Sequence, residues 1–234
     1  MDLLAFDTST EVMSIAVQRT HADQVQLWQR TAEGGAQSSK HMIPEILRLM
    51  LQAELSFDQL DAVVFGAGPG SFTGLRTSCS VAQGLAFGAD LCVLPIPTLW
   101  AVAEEARWQL GATQTFAVTA LLDARMGEIY AGSYTFDSGV WACIKGCSLI
   151  RPQDVIGNDG ALAGNVFALY GSYWPQQQIF ALPTAAALLR LAPALLKAGA
   201  AVPADQALPI YIRDKVAQTM QERNDAKPQV YDSK

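Results

Sequence analysis

Histidine is nearly missing from this chain: among 234 residues there are two, His21 and His41. The four cysteines, at 79, 92, 143 and 147, form no Cys-x-x-Cys pair. A zinc or iron site draws on several converging His, Cys or carboxylate ligands, so no metal ligand is assigned. The same spacing gives no disulfide framework, and reduced thiols in the cytoplasm are the simplest reading. Basic residues are scarce too. Sixteen Lys and Arg against 22 Asp and Glu leave a net charge of −6. Nucleic-acid-binding domains carry a basic face, so direct nucleic-acid binding by this chain alone is disfavoured. No uncharged run reaches the roughly 18 apolar residues of a membrane span. The opening MDLLAFDTST has no basic n-region and carries Asp2 and Asp7, so no signal peptide is expected and a cytoplasmic location is.

Half of the residues are hydrophobic, enough for a sizeable core. The length suits one large domain or two of about 100 residues. The organising stretch is AVVFGAGPGSFTGLR, residues 62–76. Val63 to Phe65 reads as a buried strand, followed by a tight loop rich in Gly and Pro. Ser71 can cap the next helix, on which Phe72, Leu75, Cys79, Ala82 and Leu85 form one stripe. No Gly-Lys-Ser/Thr follows, and glycines at 66, 68, 70 and 74 do not fit Gly-x-Gly-x-x-Gly. The loop is therefore either an anion site at a helix N-terminus or a sharp turn that lets helix and sheet pack closely. Gly74, Ser78 and Ala82 make a stripe of small residues, for internal packing or for a partner helix.

Along the chain, Leu3–Phe6, Val12–Gln18 and Gln24–Thr31 read as strands. Residues 36–55 read as a helix capped by Ser38 or Ser39, with Pro44 in its first turns. Its stripes are Ile43, Ile46, Leu47 and Met50 on one side and Met42, Leu49 and Ala53 on the other. A helix apolar on two sides is buried twice, once by its own sheet and once by a partner. Asp61–Phe65 and Leu91–Leu94 are further strands, the latter closed by Pro95 and Pro97. Thr98 caps a helix to Leu110. Alternating strands and helices indicate α/β. Gly111–Gln114 is the best internal boundary. Beyond it Thr115–Leu122, a turn at 124–127 and Glu128–Phe136 repeat the opening pattern of strand, Asp, turn, strand, with Asp123 matching Asp7. Asp7, Thr8 and Ser9 either satisfy turn amides or face a ligand. Asp123, Arg125, Glu128 and Tyr130 are either a salt-bridged hairpin or an acid–base set. Val140–Ile150 adds strand, Ala161–Gly164 a short strand in a loop-like stretch to Gly171, and Ala185–Ala198 a helix bent at Pro193. Leu208–Arg213 reads as a last strand-like run, Val216–Gln221 as the start of a closing helix, and the polar tail after Glu222 as frayed.

The stretch GAGPGSFTGLRTSCSVAQGLAFG resembles the hallmark of the bacterial TsaB (YeaZ) family. LLAFDTSTEVMSIAV, DARMGEIYAGSY and PIYIRDKVAQ match it in the same order, across about residues 1–220. The resemblance implies a duplicated actin-like (ASKHA) fold of two βββαβα-type lobes, the second reduced. It places the lobes at 1–110 and 111–234, with the last helix packing back on the first. In actin-like ATPases and sugar kinases the turn after the first strand faces the nucleotide phosphates, which makes Asp7 and Ser9 candidate nucleotide contacts. The family implies a non-catalytic subunit, with no catalytic residue and no cofactor of its own. Its partner is the larger paralogue TsaD, which holds ATP and metal and transfers threonylcarbamoyl to adenosine 37 of tRNA. TsaE engages the pair, tRNA is met only within the complex, and a homodimer forms when the chain is alone. TsaD carries a His-x-x-x-His pair where this chain has Gln37, His41 and Glu45. The expected partner face is the helices at 36–55 and 71–87: Ile43, Ile46, Leu47, Met50, Phe72, Leu75, Arg76, Cys79 and Ala82. The alternative is an ATP-dependent small-molecule kinase of the actin-like class using Asp7 or Asp123. A metallopeptidase is the weakest reading, for want of the histidine pair.

Overall fold

The structure, a computed structural model, describes residues 1–22, 24–155 and 160–213. The first lobe runs β1 (Leu3–Asp7), β2 (Val12–His21), β3 (Gln24–Glu33), α1 (Ser38–Gln52), β4 (Ala62–Gly68), α2 (Phe72–Ala89), β5 (Val93–Pro97) and α3 (Thr98–Gln109). The sheet order is β3-β2-β1-β4-β5. β1 pairs antiparallel with β2 and parallel with β4, so it lies at the centre, and all five of its residues are buried. A central strand buried on both faces reads as a continuous apolar run, and LLAF is one.

The second lobe runs β6 (Thr115–Asp123), β7 (Ile129–Asp137), β8 (Val140–Ile150), β9 (Ala161–Gly164), α4 (Phe167–Tyr170), β10 (Gln178–Phe180) and α5 (Ala185–Lys197). Its order is β10-β9-β6-β7-β8, with β6 antiparallel to β7 and parallel to β9. That is the first sheet again, with β6 in the place of β1. The short repeat in the sequence is thus the legible part of a complete duplication, and the architecture is the duplicated actin-like α/β fold. The reduction is equally plain. Where the first lobe has α1 of 15 residues and α2 of 18, the second has a three-residue 3-10 turn, Pro152–Asp154, and the four-residue α4.

The last helix of each lobe crosses to the other sheet. α3 packs Val102, Ala103 and Ala106 against Val118, Ala120 and Leu122 of β6. α5 packs Ala187, Leu188 and Leu191 against Leu3, Ala5, Ala62 and Val64 of the first sheet. Burying a Leu completely contributes about 1.5–3 kcal/mol, so the exchange holds the lobes together strongly. α5 starts at the N-cap Thr184, whose hydroxyl accepts from Ala187 N at 3.0 Å. Its first amide, Ala185 N, donates to Ser14 Oγ of β2 at 2.9 Å. α1 and α2 cover the outer face of the first sheet, over Leu4, Phe6, Met13, Ile15, Val63 and Phe65.

Between α3 and α5 lies a buried ionic cluster. Glu104, 2% exposed, accepts from Arg107 Nε at 2.8 Å, Arg190 Nε at 2.7 Å and Trp141 Nε1 of β8 at 2.9 Å. Burial alone would raise this carboxyl, but the bonds from Arg107, Trp141 and Arg190 outweigh it and leave it below its ordinary value.

Several local expectations are corrected. β4 does not stop at Phe65 but continues to Gly68, because β5 goes on pairing with it past the end of the β1 register. Pro95 lies inside β5, which ends at Pro97 and not at Leu94. β5 is an edge strand, where a missing amide costs little. Thr98 does not cap α3: it is the helix's first residue, and its Oγ1 accepts from Gly68 N at 3.0 Å. α1 begins at Ser38 with Gln37 as its N-cap and no side-chain cap bond. Residues 208–213 are extended but join neither sheet. Val216–Gln221 and the tail after Glu222 lie outside the described residues.

Candidate functional site

The β1–β2 turn is folded in under the glycine loop. Asp7 and Thr8 are fully buried and Ser9 nearly so. Asp7 Oδ1 accepts from Ser9 N at 2.8 Å and from Ser9 Oγ at 2.6 Å. Its Oδ2 is buried with no hydrogen-bond partner among the described residues and sits against Gly66. Thr8 Oγ1 donates to Gly74 O at 2.7 Å, and Ser71 N donates to Ser9 O at 2.7 Å. A Cβ on Gly66 would overlap the Asp7 carboxylate, one on Gly74 the Thr8 carbonyl, and one on Gly70 the Ser9 carbonyl. Each of the three turn residues therefore rests on a glycine, and close packing between loop and turn is why the glycines are there. Burial raises the Asp7 carboxyl to about 6, against the lowering effect of the two bonds from Ser9. The small stripe belongs to the same contact. Gly74, Ser78 and Ala82 are all buried, with Ser78 Oγ near the carbonyls of Leu75 and Gly74 at 3.2 and 3.3 Å.

The second turn is built differently. Asp123 Oδ1 accepts from Arg125 N at 2.9 Å, its Oδ2 is 3.3 Å from Arg125 Nη1, and its own amide donates to Asn165 Oδ1 at 3.0 Å. Arg125 also pairs across the lobes with Glu11 of the first turn. Glu128 takes Arg213 at 2.7 Å. This is the salt-bridged hairpin of the two readings left open by the sequence, extended by a cross-lobe pair.

Between the two turns lies a cleft of about 440 Å³. Its lining includes Ser9, Glu11, Ser71, Asp123, Arg125 and Tyr130; Asp7 does not reach it. Residues 207–213 cross its mouth as a strap. Gln83 Nε2 donates to Ala207 O at 2.9 Å, Ile210 N to Ala67 O at 2.7 Å, and Arg76 Nε to Tyr211 OH at 3.1 Å on the first lobe. Arg213 ties the far end to the second lobe. The sequence reading had no role for Tyr211, although its alternation between Ile210 and Ile212 was visible.

The expected partner face is corrected by burial. Ile46, Met50, Leu75, Cys79 and Ala82 are buried, at most 5% exposed; all but Leu75, which borders the cleft, are packed by α1 and α2 against their own sheet. Charge at Ile46, Leu75 or Cys79 would therefore unfold the chain instead of sparing the fold. What α1 presents outward is Ile43, Leu47 and Leu51, which is 79% exposed. α2 presents Phe72, half-buried under Arg76 with the guanidinium 3.9 Å from the ring centre, and 5.5 Å from the Tyr211 ring. His41 lies exposed on α1. Among the described residues no group of three or more His, Cys, Asp or Glu could hold a metal ion, and no helix is long and apolar enough to cross a membrane.

Residues 32–226 match the family model described as TsaD: tRNA N6-adenosine threonylcarbamoyltransferase. The tRNA threonylcarbamoyladenosine biosynthesis protein TsaB of Haemophilus influenzae is 36% identical, over 92% of this chain and 95% of that protein. The protein of that name from Escherichia coli is 31% identical, over 93% and 96%. Among solved structures, YeaZ from Pseudomonas aeruginosa superposes with a TM-score of 0.80 at 33% identity, covering 90% of this chain and 99% of that one.

Proposed function

The chain belongs to the TsaB (YeaZ) family of tRNA threonylcarbamoyladenosine biosynthesis proteins, and from that premise we propose that it is a non-catalytic subunit that pairs with and activates a TsaD-type transferase. The observation that carries this reading is the buried β1–β2 turn. A turn that served nucleotide phosphates would offer its carboxylate and hydroxyls to the cleft. Here Asp7 is enclosed, its one bonded oxygen is taken by Ser9, and glycines 66, 70 and 74 press the loop onto it. Asp123, the other carboxylate a kinase would use, is engaged by Arg125. The kinase reading thus has little to draw on.

The partner meets the outward residues of α1 and α2: Ile43, Leu47 and Leu51, with Phe72 and Arg76 at the start of α2. Exposed large apolar side chains on two neighbouring helices are the usual raw material of a helix-packed interface. The same face closes a homodimer when the partner is absent. ATP and metal reside on the partner, TsaE acts on the pair, tRNA is met only in the assembly, and the work is done in the cytoplasm.

The test is reconstitution of tRNA modification from TsaD, TsaE and the synthase with ATP, threonine, bicarbonate and tRNA. Product that requires this chain, together with no turnover of ATP by the chain alone, is the expected result. Full product without the chain would overturn the subunit reading, and ATP turnover by the chain alone would restore the kinase.

A further inference from the structure

Two side-chain donors in the cleft lining have no partner among the described residues. Tyr130 is 7% exposed and lines it, and its hydroxyl has no partner among the described residues. Burial raises this phenol, more than Arg213 lowers it, so at neutral pH the group is an uncharged donor. Arg213 also lines the cleft; its Nη2 holds Glu128 and the Arg125 carbonyl, but its Nε is buried without a partner among the described residues. The N-terminal turn of α2 lines the same space through Ser71 and Phe72. The first amides of a helix have no acceptor within it, and its dipole favours negative charge there. The two acidic groups in the lining, Glu11 and Asp123, share Arg125 as their counter-ion.

We propose that the cleft binds a small, singly charged oxyanion, a carboxylate or a phosphate monoanion, between the N-terminal turn of α2 and the Tyr130 and Arg213 side chains. The ligand supplies the acceptor that the Tyr130 hydroxyl and the Arg213 Nε lack. A singly charged ligand is favoured over a doubly charged one, because Glu11 and Asp123 together carry one negative charge more than Arg125 offsets. The site meets the β1–β2 turn at Ser9, Thr10 and Glu11, whereas Asp7 and Thr8 lie outside it, held by their own contacts. It joins groups of both lobes, so binding stabilises the lobes against each other and raises the melting temperature by mass action.

The experiment is calorimetric and thermal titration of the full chain near pH 6 with sodium phosphate and, separately, sodium acetate, each against sodium chloride at equal ionic strength. At least one of the two should bind and raise Tm beyond chloride, and which one does so identifies the source of the oxyanion. Tyr130→Phe, which removes one oxygen and keeps the ring, should weaken binding about tenfold, the worth of a hydrogen bond to a charged group. In the unaltered chain the amide resonances of Gly70 and Phe72 should move on titration, Ser71 N being already bonded to Ser9 O. No binding beyond chloride, unchanged affinity in Tyr130→Phe, or still amides at Gly70 and Phe72 would each overturn the site. Adenosine binding as tightly as ATP would also overturn it, by assigning the cleft to a nucleoside.

Discussion

Two strands of the same rank, β1 and β6, each end in an aspartate and a tight turn, yet the two turns have opposite fates. In the first lobe a long helix and a glycine loop close over the turn, and Asp7 loses water altogether. In the second lobe the corresponding helix has shrunk to α4, and the Asp123 side chain stays 15% exposed beside Arg125. Equal topology therefore does not mean equal chemistry. What sits above the turn decides whether the carboxyl is a core group or a surface ion.

The comparison can be pressed at four points. The largest effect is expected where the lobes are joined. Glu104→Ala leaves the part-buried Arg107 without its anion and Arg190 with Glu105 alone, and should cost about 3 kcal/mol, read by urea unfolding. A loss under about 1 kcal/mol would mean that the exchanged helices alone carry the junction. Next comes the contrast between the aspartates. The folded carboxyl of Asp7 is raised to about 6 from 3.8, so its protonated form is the one that suits the fold. The stabilising contribution is complete below the unfolded value and is lost as the pH rises through about 6, a fall of about 3 kcal/mol. Asp7→Asn should remove that fall between pH 4 and pH 6, and an unaltered pH profile would disprove the assignment. Arg125→Ala breaks the exposed cross-lobe pair with Glu11 and the 3.3 Å contact to Asp123; the guanidinium is itself largely exposed, so about 1 kcal/mol should be lost. Smallest of all in stability is Leu47→Glu on the outward side of α1, within about 0.5 kcal/mol. That variant should nonetheless lose binding to the TsaD-type partner in calorimetry, whereas Ile46→Glu, one residue away and fully buried, should not fold. Full partner binding by Leu47→Glu would remove α1 from the interface.

Much of the fold was legible because the strands of both lobes alternate or run apolar in the usual way, and α5 is Ala/Leu-rich between Thr184 and Gly199. Three kinds of feature were not. Pro95 and Pro97 signal a break to any local reading, and only their position at a sheet edge permits them in a strand. β10 is three residues with one buried side chain, Ile179, too little for a pattern. Orientation is the third. Periodicity finds the stripes Ile43–Met50 and Phe72–Ala82 but cannot say which member faces the home sheet, and five of the nine residues expected at the surface proved to be buried. The site was half legible. Asp7, Ser9, Asp123, Arg125 and Tyr130 were singled out, but the strap at 207–213 and the cleft it crosses depend on contacts more than 80 residues apart in sequence.

The crossed helices also decide what kind of motion this molecule has. In a two-lobed protein whose halves meet along one hinge, a cleft opens like a jaw, and small residues at the hinge absorb the change. Here α3 lies on the second sheet and α5 on the first, with Glu104 and Arg190 clasped between them. A jaw-like opening would tear both helices from their sheets. What remains is shear: two packed helices sliding by small steps along each other, with side chains keeping their neighbours. Binding at the cleft or at the outward face of α1 and α2 would then be felt as a change of stiffness rather than of shape.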